Sequence, residues 1–193
     1  MDRPERTAAI EYLRRKGTEA PISRLVAGLR STFQRFEQTI DRVPETLRIQ
    51  RPDAASWSVH EILDHLIESH RPAVVELSEL CAGMSPAGGP IPARLTSRNP
   101  LDRPWAVLVD ELKNIHSDIL QLVVDAGDDT PTATTAPFVM VVKVPGPGGP
   151  GIVEWVEALD WKAYVQAVRV HTHEHCAQVE RTLAALRPEN AGA

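Results

Sequence analysis

The sequence predicts an all-α fold: a four-helix bundle with long Gly/Pro-rich inter-helix loops and a short extra N-terminal helix. Three observations carry this prediction. Apolar residues recur at helical spacing in four long stretches. Pro and Gly cluster between those stretches. Strand-like patterning is confined to one short piece, PFVMVVKVP. The chain has 193 residues, with 42% hydrophobic and 24% charged, an ordinary globular composition. That length suits a single domain with a sizeable core, taken as residues 1–193.

Residues 4–16 (PERTAAIEYLRRK) read as the short extra helix, with Pro4 in its first turn and Gly17 just past its end. From Ile22 to about Val43, the residues Ile22, Leu25, Val26, Leu29, Phe33, Phe36 and Ile40 mark the first long helix, which Pro44 stops. Ser58-Val-His-Glu61 has the form of a capping box and opens a second helix through about Leu80. Pro72 is expected to kink or break it. Residues 82–100 read as a loop. A third helix begins near Pro104 and carries Trp105, Leu108, Val109, Leu112, Ile115 and Ile119 on one face. Residues 126–151 form a second long loop ending in PGPGGPG, and the fourth helix is expected from about Ile152 to Leu186, before Pro188. Loops of this length are uncommon unless they do something, such as cover a site; a solvated connection is the competing reading.

Several functions are excluded by composition. The formal net charge is −5 and Lys and Arg form no long run, so no nucleic-acid footprint is present. No apolar stretch approaches the roughly 18 residues needed to span a membrane. The opening MDRPERTAAIEY has no apolar signal-peptide core. Two cysteines, Cys81 and Cys176, make no disulfide framework, and a reducing cytoplasm is the expected compartment.

The chemistry lies in the seven histidines. In His171-Thr-His-Glu-His175, residues four apart stand on one helix face, so His171 and His175 can share a metal. His173 lies about 200° from each and cannot join them. At about 100° per residue, Tyr164, Val168, His171, His175, Val179 and Leu186 fall in one stripe, and His173 falls with Lys162, Gln166 and Arg169 on the opposite, polar face. Imidazoles in an apolar stripe need partners for their nitrogens, and a metal supplies one. The competing reading is a pair of core histidines hydrogen-bonded to neighbours. The second helix offers the third ligand, His65, on the flank of the stripe formed by Ile62, Leu66, Ser69, Ala73 and Leu77. His70 falls nearly opposite Ile62 and is expected to be more exposed, and His60 is expected at the surface. His116 is a candidate fourth ligand or a polar neighbour, the latter favoured.

These residues carry a resemblance. Trp57-Ser-Val-His-Glu-Ile-Leu-Asp-His65-Leu-Ile-Glu-Ser-His70 resembles the helix-two pattern of the DinB/YfiT-like family of metal-dependent enzymes, in which Trp-Ser/Thr precedes an apolar run and a ligand His. Val170-His171-Thr-His-Glu-His175-Cys-Ala-Gln178-Val resembles its last-helix pattern. The resemblance covers most of residues 20–187, including a Trp155-containing start to the last helix, and it implies His65, His171 and His175 as the metal ligands. The N-terminal helix and the 126–151 loop have no counterpart, and the family's double His is Glu174-His175 here. Members of the broader family resemble thiol-dependent transferases and isomerases, or have no assigned activity, so the resemblance implies a low-molecular-weight thiol as an expected partner. The resemblance also implies a homodimer, in keeping with the commonness of closed twofold assemblies.

Three neutral imidazoles leave at least one coordination position open, which suits a catalytic site. Such ligands suit a divalent transition metal, with zinc or nickel ahead of iron. The expected function is a metal-dependent hydrolase or thiol-dependent transferase acting on a small molecule. The alternative is a non-catalytic metal-binding stress-related or interaction protein. Asp64, Glu68, Glu174 and Gln178 are candidates to orient the ligand rings. Cys176 is expected as a small buried filler, and Trp57, Trp105, Trp155 and Trp161 as core or cap packing.

Overall fold

The computed structural model describes residues 4–144 and 151–187. Pro188 and the PGPGGPG run up to Pro150 lie outside the described residues. The first helix, α1 (Pro4–Leu13), runs into one π-helical turn, Arg14–Thr18. Gly17 does not follow that helix but sits buried within the turn, where an added Cβ would stand 2.7 Å from the Cα of Ala163. Only glycine allows this backbone-to-backbone approach. It lays the N-terminal segment against the start of the last helix.

Four long helices make the bundle: α2 (Ile22–Asp41), α3 (Val59–Cys81), α4 (Trp105–Ala126) and α5 (Trp161–Leu186). α2 packs on α4 and α5, and α3 packs on the same two. The consecutive helices α2 and α3 are therefore diagonal, as are α4 and α5. Leu29, Phe33 and Phe36 from α2, Leu66 from α3, Leu112 from α4 and Tyr164 from α5 fill the centre, each almost wholly buried. Leucine and phenylalanine side chains at such sites each contribute about 1.5–3 kcal/mol by leaving water.

The Ser58 capping box forms as expected: the Ser58 hydroxyl accepts from Glu61 N at 3.3 Å, and the Glu61 carboxylate accepts from Ser58 N at 2.9 Å. Arg51 closes on the same carboxylate. α3 runs through Pro72 as one helix, against expectation. Buried Ser69, Ala73 and Leu77 hold both sides of the proline in the bundle. That packing outweighs the hydrogen bond the ring removes.

The largest departure lies before α5. Residues expected to begin the last helix form a strand, β2 (Gly151–Leu159), paired antiparallel with β1 (Ala136–Val144) from Ala136↔Leu159 to Val144↔Gly151. Trp155 is on β2 and not on a helix. Burial alternates along this strand, with Val153, Trp155 and Glu157 more covered than Ile152, Glu154 and Val156. A period of two with β-branched and aromatic residues is strand patterning. The helix starts at Trp161, where the Asp160 side chain accepts from Lys162 N and Ala163 N at 2.9 and 3.0 Å.

α5 is covered on more sides than its sequence suggests. Every residue from Trp161 to Val168 is buried, Lys162 and Gln166 included. Lys162 Nζ donates to the Ala20 carbonyl, and Gln166 donates to the Tyr12 hydroxyl at 2.9 Å. The face expected to be polar and solvated is, in this half, the seat of the N-terminal segment. Among the described residues no helix is long and apolar enough to cross a membrane.

Candidate metal centre

The last helix brings His171 and His175 to one side because four residues make slightly more than one turn. Their Nε2 atoms lie 3.0 Å apart. α3 supplies His65, whose Nε2 lies 3.1 Å from that of His171. One ligand nitrogen from each ring falls within 4.8 Å of the others. His173 points away and is exposed.

The outward nitrogens fix the rings. His65 Nδ1 donates to the Leu95 carbonyl at 2.7 Å, and His175 Nδ1 donates to Gln178 Oε1 at 2.8 Å. A neutral imidazole has one N–H, so both inward Nε2 atoms carry lone pairs. His171 has one proton to offer, and it cannot satisfy both neighbours. A divalent cation satisfies all three nitrogens at once. The separations of 3.0 and 3.1 Å approach the edge of about 3.3 Å that tetrahedral Zn–N bonds of 2.0–2.1 Å require. The donor set therefore fits such an ion.

Electrostatics favour the neutral ligands. Burial, together with the neighbouring rings, holds His171 and His70 well below the usual histidine range. Burial, with the His65 ring next, pushes His175 down to about 3. Burial also lowers His65, against the support of the Leu95 carbonyl. A proton is thus a poor occupant of the cluster, leaving the lone pairs for a metal.

Of the four residues expected to orient the rings, only Gln178 does so. Asp64 is fully buried but accepts from Ser97 N at 2.8 Å, fastening the 91–99 loop. Glu68 pairs with Arg71 at 2.9 Å. Glu174 is exposed and stands on the wall of the cavity beside the cluster. The 82–100 loop does cover the site, since Leu95 holds His65. A backbone carbonyl carries no side-chain signal, so sequence reasoning could not name it.

Other histidines depart from expectation. His70 is 1% exposed, because α3 is flanked there by α4 and α5. Its Nε2 lies 3.3 Å from His171 Nδ1. His60 is also buried, edge-on to Trp105, since the Arg48–Arg51 linker and the start of α4 cover it. His116 is a polar neighbour and no ligand: it stacks on Phe33 at 3.8 Å, and its Nδ1 donates to Glu37 Oε1 at 2.7 Å. Trp57 does more than pack a cap, lying 5.0 Å from the His65 ring and stacking at 6.5 Å with His175. Cys176 is buried as expected, its Sγ 3.7 Å from the Thr39 hydroxyl. Trp161 is core and Trp105 caps His60, also as expected.

The cluster opens on a cavity of about 820 Å³ between α1, α3, α5 and the hairpin. Phe138, Met140, Ala73 and Val168 give it apolar walls. Arg94, Lys143 and Arg181 stand around it as exposed cations, with Glu154 and Glu174 as the carboxylates. The hairpin that replaces the expected helix start is thus one wall of this chamber.

Residues 28–191 match the family model of the DinB superfamily, and the chain belongs to that superfamily. Two solved structures share the fold. One is YfiT from Bacillus subtilis, described as a probable metal-dependent hydrolase with an unusual four-helix bundle topology. It is 14% identical with a TM-score of 0.60, over 84% of this chain and 86% of that one. The other is an uncharacterised protein from Escherichia coli UTI89, 13% identical with a TM-score of 0.55, over 85% of this chain and 93% of that one. No curated protein sequence matches the chain significantly.

Proposed function

We propose that the chain is a metal-dependent enzyme, a hydrolase or a thiol-dependent transferase, acting on a small molecule. His65, His171 and His175 are its ligands. The observation that carries this reading is the convergence of three Nε2 atoms on the wall of a chamber of about 820 Å³. A structural metal site is closed, whereas three neutral ligands beside a cavity leave a position for a reactant. The bound ion, zinc or nickel by ligand chemistry, supplies Lewis acidity that makes a water or thiol nucleophilic at neutral pH.

The remaining roles fall to the chain's own side chains. Gln178 and the Leu95 carbonyl hold two of the ligand rings in register. Trp57 covers one side of the cluster and limits solvent. Glu154 and Glu174 are the carboxylates on the cavity wall, and we take Glu174, on the same helix as two of the ligands, as the one that takes up a proton. Arg94, Lys143 and Arg181 suit a substrate with an apolar body and an anionic group. YfiT's described activity supports the hydrolase reading; we take the protein to work in the cytoplasm as a homodimer, the latter in keeping with the commonness of twofold assemblies.

Purified protein loaded with zinc or nickel should turn over members of a panel of anionic esters, amides and thiol-acceptor electrophiles, the last with a low-molecular-weight thiol present. Glu174→Gln should lower kcat by about 10²-fold or more while leaving metal content unchanged. Stoichiometric metal with no turnover across the panel, and Glu174→Gln indistinguishable from wild type in ligand binding, would favour a non-catalytic metal-binding protein.

A further inference from the structure

Behind the ligand His171 lies a run of buried polar groups that the proposed chemistry does not use. His70 and His116 are each 1% exposed. Each has one ring nitrogen paired and one buried nitrogen without a partner among the described residues: Nδ1 of His70 and Nε2 of His116. Their ring centroids are 5.9 Å apart. Leaving polar atoms unmatched in a core costs about 1–3 kcal/mol each, so two at one place call for an explanation.

The proton positions supply one. The Glu37 carboxylate can only accept when ionised, so His116 Nδ1, 2.7 Å away, carries the N–H. His116 Nε2 is then an acceptor. At the other end, a His171 that faces the ligand point with a free Nε2 carries its proton on Nδ1. That N–H has His70 Nε2 as its acceptor at 3.3 Å. His70 Nε2 is therefore unprotonated, and its proton sits on Nδ1. The two unmatched atoms are thus a donor on His70 and an acceptor on His116. They are complementary: with the rings 5.9 Å apart the two atoms do not meet directly, and one water between them would accept from His70 and donate to His116.

We propose that Glu37, His116 and His70 are positioning residues in one hydrogen-bonded relay, which fixes His171 as its Nδ1–H tautomer and so turns its Nε2 lone pair to the ligand point. This rests on the reading of His171 as a metal ligand. A carboxylate commonly fixes a metal-bound imidazole by accepting its distal N–H. Here the carboxylate stands two rings further back. Glu37 is on α2, His116 on α4, His70 on α3 and His171 on α5. The relay therefore ties all four bundle helices to the tautomer of one ligand.

Nitrogen-15 NMR of the histidine rings in zinc-loaded full-length protein at pH 7.5 tests the tautomers directly. The relay requires His171, His70 and His116 all as Nδ1–H, the less common form of imidazole in water. Resolving His171 or His70 as Nε2–H would overturn it. Zinc affinity by chelator competition gives a second readout. His70→Leu should weaken binding about 10–100-fold. His70→Gln, whose amide oxygen can still accept from His171, should recover most of the loss. Glu37→Leu should shift His116 to Nε2–H and weaken zinc, while Glu37→Gln should keep both near wild type. A correctly folded His70→Leu that binds zinc as wild type does would overturn the relay and leave the metal reading standing. Wild-type protein without zinc affinity would remove the metal reading itself, whatever the tautomers.

Discussion

Two polar clusters on α3 are built on opposite principles. On its outer side, toward α4, Glu68, Arg71, Arg103 and Glu111 form a network in which every charge meets an opposite one. These side chains keep about a fifth to a half of their surface in water. On its inner side, toward α5, His65 and His70 meet His171 and His175, where lone pairs converge and buried nitrogens stay unmatched. Opposite charges offset one another in the first cluster, whereas in the second each protonated ring would disfavour its neighbours. A polar group that only supports a fold is satisfied where it stands. One that remains unsatisfied in a core calls for a further explanation.

The contrast can be tested through acidity, where the inner cluster should dominate. Its histidines have folded-state pKa values below the ordinary value, with His175 at about 3. Between that value and the unfolded value of about 6.5 the unfolded chain binds more protons than the native one. Their stabilising contribution is therefore complete above about pH 6.5 and is lost as the pH falls. Each such ring contributes a slope of up to about 1.4 kcal/mol per pH unit, and a chain of this size shifts by about 2–4 °C per kcal/mol. Metal-free protein should thus lose about 5 °C or more in Tm between pH 7.5 and 5.0, by calorimetry. A flat profile over that range would mean the rings are not held neutral.

The outer network should respond much less. Glu111 meets both Arg71 and Arg103, and Glu111→Gln removes one charge from a partly solvated group. The expected loss is under about 1 kcal/mol and diminishes with added salt. A thermal shift beyond about 4 °C would show the network to be a structural clamp, and the contrast would then fail.

Much of this molecule could be read from its residues, for physical reasons that also explain what could not. The helical stripes of α2 and α4 and the Ser58–Glu61 box depend on local spacing, and they formed where spacing placed them. His65, His171 and His175 sit together because a pair four apart on a helix has only one shared face. The start of α5 was misplaced because Val, Trp and Ile serve either a helix or a strand, and the hairpin pairing is set by a partner some fifteen residues earlier. His60 and His70 looked exposed because one helix's stripe does not reveal how many neighbours surround it. With α4 and α5 both packed on α3, little of its inner half is left for solvent.

The central claim is that three Nε2 atoms hold one divalent ion. Titration of metal-free protein with cobalt(II), followed by its visible absorption, reports stoichiometry and ligand geometry together. The account predicts one equivalent with intense bands of low coordination number, lost in His65→Ala, His171→Ala and His175→Ala and unchanged in His173→Ala. Binding that survives His171→Ala, or is lost equally in His173→Ala, would contradict it.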